Sequence, residues 1–353
     1  MMSDLHSIVR KAATGRPITD LNLSGFDFFK ARLEGAVFLR CDLRGSRLGG
    51  CDLSRAIFSE CDLSRADLRE SRLDGANMVQ CCLKDAAVGA ARIRRMVLAR
   101  CDLSGSDWRN VMLMQGAWTD CALAEALLAG ASFTRSALVR LSFEGTDLRG
   151  ARMQGCVVAE ADLRHAMVAG LSAETTAMPK ANFSGADLRE LHFHRCNMQE
   201  ANFDGADLSS ADLSGSCFLK ASFGNAVLAD ARARDCLFLE SLWHGTNAAG
   251  IDLEGAVLQG ANLDNCILEN AKLVRASLVK SVQRQVSYRK ADLRYADLSH
   301  AKFEDVDFSD ADFAWGRMHA AGFERVSFSG SSPRRAFGTD STLLEAERKA
   351  GLL

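Results

Sequence analysis

The chain has 353 residues, 48% of them hydrophobic and 25% charged, and its 43 basic and 45 acidic side chains leave a formal net charge of −2. That balance gives no bulk positive field for nucleic acid, and the length alone would suit two or three ordinary domains. No stretch approaches eighteen continuous apolar residues, so no membrane span is expected, and the opening MMSDLHSIVRKAATGRP lacks the apolar run of a signal peptide. The expected location is the cytoplasm.

Residues 3–14 predict a short helix, with Ser3 as its cap and Leu5, Ile8, Val9 and Ala12 on one face. Gly15 and Pro17 end it. From Leu21 to Gly330 the sequence keeps one five-residue frame, 62 words with no insertion. The third residue of each word, here called the centre, is large and apolar or aromatic in 58 of the 62. The first residue is Ala, Cys, Ser, Thr or Gly in 51. Chance does not hold a frame over that length, so this is an internal repeat. The stretch ANFDG–ADLSS–ADLSG, Ala201 to Gly215, states the word most clearly, and the words from Cys41 to Gly75 are nearly as regular.

This word, A(D/N)LXX, resembles that of the pentapeptide-repeat family. The resemblance implies an all-β fold, a right-handed quadrilateral β-helix in which four words make one coil of twenty residues. It implies that the centre and the small residue two before it point inward, and that the other three positions face water. Sixty-two words would give about 15.5 coils and a rod of about 75 Å at ~4.8 Å per stacked strand. The expected organisation is an N-terminal helical cap over 1–20, a β-helix over 21–330, and a linker with a C-terminal helix over 331–353.

Ten of the twelve cysteines fall on the small inward site: Cys41, Cys51, Cys61, Cys81, Cys101, Cys121, Cys156, Cys196, Cys236 and Cys266. Five of them, from Cys41 to Cys121, recur every twenty residues and stack. They read as small side chains filling a tight column rather than as metal ligands, and free buried thiols suit a reducing compartment.

Three zones weaken the frame. At 171–180 Ala173 takes a centre and Pro179 enters, which predicts a bulge or loop. At 231–250 Ala233 and Ala248 take centres. At 281–290 Gln283 takes a centre, and a buried Gln needs partners, so the segment is expected to loop outward. Beyond Gly330, SSPRRAFGTDS reads as a linker, and Thr342 with Glu345 reads as a capping box opening a last helix to about Ala350.

Stacking by twenty sorts the outward residues into walls. On the wall that holds residues 36–40 and 56–60, the flanks of the centres are apolar where the family word has Asp or Asn. Val37, Leu39, Ile57, Val79, Val97, Val139, Val157, Leu219, Leu237, Leu239 and Val257 form that stripe and are the candidate interface. The corner beside it alternates in charge through Arg100, Asp120, Arg140, Glu160, Lys180, Glu200, Lys220 and Glu240, which reads as a solvated ion-pair ladder.

Catalytic motifs are absent: no P-loop, GxSxG, HExxH or CxxC occurs. His192 and His194 flank Phe193, with Glu174 and Asp212 on the same wall, and read as surface histidines rather than a metal site. No enzyme activity, cofactor or metal is expected. Aromatic residues sit mostly at inward centres, so nucleic-acid stacking is not expected.

The reading is therefore a non-catalytic scaffold that binds a protein partner, or a second copy of itself, along the apolar wall. Gly15-Arg16-Pro17-Ile18 and Leu21-Asn22-Leu23-Ser24-Gly25 are similar to the entry of pentapeptide-repeat proteins that accompany bacterial type VI secretion effector-loading modules. That resemblance implies an accessory or adaptor role there. The alternative is a DNA mimic, like the family members that act on DNA gyrase. Asp42, Asp62, Asp102 and Asp162 share a wall, but Arg44 and Arg164 dilute it.

Overall fold

The computed structural model describes residues 5–89 and 91–351. The chain forms two compact units that divide after Asn182, and each is a parallel β-solenoid. Every rung pairs with residues twenty positions away: Asp42 lies opposite Asp62, Val37 opposite Ile57, and Asp207 opposite Val227. Four words therefore close one coil, which gives the solenoid four sides. At a typical rung the Asp42 N–H donates to the Leu21 carbonyl at 2.9 Å, and the Asp42 carbonyl accepts from the Leu23 N–H at 2.7 Å. The last residue of a word turns the corner in a left-handed conformation, whether it is Gly25 (φ 64°), Arg55 (59°) or Arg65 (58°). A non-glycine residue pays about 1–2 kcal/mol for this, offset by the two ladder bonds that each corner keeps in register.

The preference for Asp before the centre has a direct cause. Wherever an Asp stands there, its Oδ1 accepts the backbone N–H of the residue after the centre, as from Arg44 to Asp42 (3.1 Å) and from Ser209 to Asp207 (3.0 Å). Every Arg and most Ser at that next position close their side chains onto the same carboxylate, as Ser209 does at 2.5 Å and Arg44 at 2.6 Å, whereas the Ser54 hydroxyl does not. The carboxylate thus takes a donor that a longer strand would use. Words with Asp accordingly touch their neighbours through a single bridge residue, and none of them forms a strand.

Three-residue strands arise only in words without that Asp. In the first unit one wall carries strands at Ile18–Thr19, Val37–Leu39, Ile57–Ser59, Asn77–Val79, Val97–Ala99, Ala117–Thr119 and Ala137–Val139. The adjacent wall carries Arg92–Arg94, Met112–Met114, Ser132–Thr134, Arg152–Gln154 and Ser172–Glu174. In the second unit a five-stranded sheet runs from Leu242–His244 to Gly322–Glu324.

The weak zones behave differently from the sequence expectation, because none of them leaves the frame. Leu171 and Ala173 are buried, and Ser172–Glu174 is a strand. Pro179 follows a centre, where bridge words make no ladder bond through N–H, so its missing donor is not needed. Its carbonyl still accepts the Glu160 N–H at 3.1 Å. Ala233 and Ala248 are buried beside a run of large centres in which Phe218 stacks on Phe238 at 5.0 Å and Phe223 lies 5.1 Å from Trp243. Gln283 does not loop outward either. It is fully buried, its amide donates to Ser281 Oγ (2.9 Å), and its carbonyl accepts from Tyr288 Oη (2.6 Å).

The serine two residues before a polar-headed centre recurs. Trp108 and Trp243 each donate their indole N–H to such a serine, Ser106 and Ser241, at 2.8 Å. Trp118 has Gly116 there, and its Nε1 has no partner. A Cβ on Gly116 would stand 2.8 Å from the Leu113 side chain, so a serine cannot be fitted without displacing it.

The thiol column is packed as expected. Cys61 Sγ donates toward the Phe38 and Ser59 carbonyls at 3.5 and 3.3 Å, and Cys81 repeats this toward Phe58 and Val79 at 3.4 Å. Burial pushes the Cys51 thiol up to about 11 and those of Cys236 and Cys266 to about 12. Alanine fills the same inward site in many words. We expect Cys61→Ala and Cys81→Ala to lose only about 1 kcal/mol each, the value of one small buried group. Thermal melts with and without a chelator check this; stoichiometric zinc lost with the thiols would overturn the packing role.

The helix α1, Leu5–Ala13, buries Ile8 and Ala12, and Gly15 ends it at φ 65°. Ser3, the expected cap, lies outside the described residues. The helix α2, Ser341–Lys349, has its cap two residues earlier than the capping-box reading at Thr342. Asp340 is its N-cap and accepts from the Thr342 and Leu343 N–H groups at 2.9 and 3.1 Å. A carboxylate upstream of Thr342 is the better acceptor for these N–H groups.

Candidate interaction surfaces

The apolar wall of the first unit is set by strand formation. Val37, Ile57 and Val97 each open a three-residue strand, where β-branched residues are favoured. Val37, Leu39, Val79, Val97 and Val139 are half-buried against their neighbours, whereas Ile57 and Val157 are 40% and 45% exposed. In the second unit Leu237 is 40% exposed, and Leu219, Leu239 and Val257 are half-buried. The outward flanks of the wall thus remain accessible without being fully stripped of contacts.

The neighbouring corner holds ion pairs between successive coils. Arg140 grips Asp120 through two bonds, 2.7 and 2.9 Å, and Arg40 does the same to Asp20 at 2.8 and 2.9 Å. Lys220 lies 3.5 Å from Glu240. The Arg140 hydrogen bond holds the Asp120 carboxyl below its ordinary value. These side chains are well exposed, so each pair adds little to stability.

The aspartates that share another wall are neutralised where they stand. Asp42 pairs with Arg44 at 2.6 Å, Asp102 with Lys84 at 3.1 Å and Asp162 with Arg164 at 2.7 Å; Asp62 lies 3.8 Å from Arg44. No continuous negative stripe results.

Four of the seven histidines form two small clusters in the second unit. His194 Nε2 lies 3.0 Å from Asp212 Oδ2, with the exposed His192 ring 6.2 Å away and Arg232 3.9 Å from the same carboxylate. Glu174 belongs to the first unit. The other cluster joins α2 to the coils. Glu347 accepts from His300 Nε2 (3.2 Å) and His319 Nε2 (3.1 Å), and His319 Nδ1 accepts the Asp340 N–H at 3.1 Å. Because Nδ1 is an acceptor, Nε2 carries the proton. A metal-bound histidine shows the reverse, with its free nitrogen donating. The cluster is therefore a latch on α2 rather than a ready metal site. Its residues are far apart in sequence, so spacing gave no signal for it.

The sequence reading also passed over the wall of Arg92–Arg94 to Arg152–Gln154. Its four rungs present Arg92, Arg94, Arg95, Arg135 and Arg152 outward with no acidic residue among them. Met112 and Met114 lie between, 37% and 41% exposed. A groove of about 1030 Å³ runs along this wall, past Arg55, Arg94, Arg95, Gln115 and Arg135. The near-zero total charge concealed it; counting charge wall by wall would have found it.

Inward columns of apolar centres and outward walls with open grooves define a repeat solenoid. The pentapeptide-repeats family model matches in eight copies, over 22–59, 46–85, 119–155, 180–215, 206–238, 244–281 and 289–330. The chain belongs to the pentapeptide-repeat family. Among solved structures it is similar to trypsin-treated QnrB1, a plasmid-mediated fluoroquinolone resistance protein, with 19% identity over 54% of this chain and 90% of that one, at a TM-score of 0.37. It is similar to HetL of the cyanobacterium Nostoc sp. strain PCC 7120, involved in heterocyst differentiation regulation, with 24% identity over 77% and 97%, at 0.18. A pentapeptide repeat protein of the Arabidopsis thaliana thylakoid lumen matches with 21% identity over 47% and 77%, at 0.10. These likenesses carry no argument about function. No curated protein matches the chain. Among the described residues no helix is long and apolar enough to cross a membrane.

Proposed function

We propose that the protein is a non-catalytic β-helical scaffold that binds a protein partner, or a second copy of itself, along its apolar wall. The observation that carries this reading is the accessible strip of Val37, Ile57, Val97 and Val157 in the first unit, where the family word has Asp or Asn. Ion pairs such as Arg140–Asp120 edge the strip, as a polar rim edges an interface. The similarity of Gly15–Ile18 and Leu21–Gly25 to proteins of type VI secretion effector modules supports an adaptor role in such a module. The gyrase-directed alternative is not favoured, because Asp42, Asp102 and Asp162 are each closed onto a cation.

The test is Val97→Asp combined with Val157→Asp. Asp is the residue that other walls carry at this place, and at 157 its carboxylate can take the Ala159 N–H, so the coils are expected to stay folded. Self-association by sedimentation, or retention of a native partner, is expected to weaken at least tenfold. A folded double variant with unchanged mass and unchanged partners would reduce the strip to ordinary strand surface.

A further inference from the structure

We propose that the wall between Arg92 and Arg152 is a second docking surface, and that its occupant is a short acidic amphipathic helix of a partner protein. It is separate from the apolar wall and does not depend on it.

Elsewhere in the molecule, where an Asp stands before the centre, an arginine two residues on closes onto it, and isolated arginines such as Arg32, Arg65 and Arg195 are the ones left unpaired among the described residues. Arg69 closes on Asp67, Arg109 on Asp107 and Arg149 on Asp147, at 2.8, 2.7 and 2.8 Å. On this wall the residue before the centre is Arg92, Met112, Ser132 or Arg152, never Asp, so no carboxylate stands two residues before Arg94. Arg92, Arg94, Arg95, Arg135 and Arg152 have no ion-pair partner among the described residues. Five guanidinium groups held on stacked rungs repel one another, and carboxylates that bind them in forked pairs relieve that repulsion. Arg95 and Arg135 stand at left-handed corner positions, φ 57° and 49°, where the side chain leaves the edge of the groove.

The chemistry between the charges selects a protein. Met112 and Met114 make an adaptable apolar centre with arginines at both ends, a composition enriched in protein interfaces. A single-stranded nucleic acid is held by stacking on aromatic rings, and the outward residues of these four rungs include no aromatic side chain. The positive region is also short. Toward the N-terminal end Asp74, Asp52 and Glu34 follow, with Asp52 paired to Arg72 at 3.5 Å and Glu34 to Arg55; toward the other end stands Glu174. An extended polyanion would run into these acids, whereas a short segment would not.

The geometry selects a helix. The strands Met112–Met114 and Ser132–Thr134 are paired on both sides, and at the end strand Arg92–Arg94 the Arg94 N–H donates to Asp74 Oδ1 (2.8 Å) and its carbonyl accepts the Gly75 N–H (2.7 Å), so the wall offers no open strand edge for an added strand. Recognition must use side chains. Four rungs span about 14 Å at ~4.8 Å each, which a helix covers in about ten residues, its ~5.4 Å turns nearly matching the rungs. Acidic residues on successive turns then face the arginines while an apolar stripe covers the methionines.

The experiment titrates the full chain against a fluorescein-labelled 14-residue helical peptide with glutamates flanking a leucine stripe. Its arms are the same peptide with glutamines and a 14-nucleotide single-stranded DNA. Saturable binding of the acidic peptide is expected, weakened at least tenfold by Arg95→Glu with Arg135→Glu, and at least threefold by Met114→Ser. The glutamine peptide is expected to bind at least tenfold more weakly, and this arm does not depend on any variant folding. Val97→Asp with Val157→Asp is expected to bind the peptide like the parent, so failure here and failure of the apolar-wall reading are told apart. Absence of saturable peptide binding, insensitivity to the charge reversal, or tighter binding of the DNA overturns the proposal.

Discussion

Leu208→Asp is expected to unfold the coils around it, with a loss above about 4 kcal/mol. Leu208 is a fully buried centre. Its backbone is locked to Val227 at 2.7 Å, and the centres Leu188 and Leu228, twenty residues away on either side, are fully buried as well. Removing the side chain forfeits about 1.5–3 kcal/mol of burial. The carboxylate then meets no cation in the column, so it must either stay ionised without solvent or take up a proton at neutral pH, and both are severe. Losses of this size are exceptional for a point change and mark a buried charge. Each coil depends on its neighbours, so the damage spreads from rung to rung. The neighbouring Ser210→Asn sits at an exposed left-handed corner, a conformation that Asn accepts, and is expected to change stability by less than about 0.5 kcal/mol. Circular dichroism and hydrogen exchange of both variants check this. An unchanged melt for Leu208→Asp would show that the centres do not point inward.

The fold was legible because one frame repeats without slip. Inward and outward places follow from the word alone, and the thiol column at Cys61 and Cys81 follows from the period of twenty. The weak zones were misread for a physical reason. Pro179 looks disruptive only if every N–H is in the ladder, and in a bridge word such as its own the N–H after the centre is not. Gln283 looks too polar for a column only if its partners are invisible. Ser281, two residues before it, does for Gln283 what Ser106 does for Trp108, so half of the solution was in the sequence.

The surfaces were less legible. The apolar stripe was found because Val and Ile depart from the family word, yet the structure shows that part of the departure makes strands at Val37, Ile57 and Val97. The arginine wall was missed because its signal is what the words lack. The missing Asp before the centres at Ile93, Leu113, Phe133 and Met153 leaves the arginines without their usual partner. The His300–Glu347–His319 latch was out of reach, since it depends on where the last helix folds back.

The buried Gln283 and Tyr288 are expected to behave as one unit, and a double-mutant cycle isolates it. Burial pushes the Tyr288 hydroxyl well above the usual tyrosine range, so it stays protonated and donates to Gln283 Oε1 at 2.6 Å. Tyr288→Phe keeps the ring and its stacking on Phe308, 5.0 Å away, and removes only the donor. Gln283 Oε1 is then buried without a partner, which costs about 1–3 kcal/mol. Gln283→Met, close to it in volume, leaves the tyrosine hydroxyl orphaned instead and is expected to cost a similar amount. Ser281 is unharmed in that variant, because its hydroxyl donates to the Leu278 carbonyl at 2.7 Å. Combining the two replaces both polar groups with apolar ones, and a pair so replaced is nearly neutral. The double variant is therefore expected to be at least as stable as either single one, with a coupling of about 0.5–3 kcal/mol. Urea midpoints of the four proteins measure it. Losses that simply add would mean that the two side chains are satisfied independently, and that a glutamine is tolerated at this centre for some reason other than its tyrosine partner.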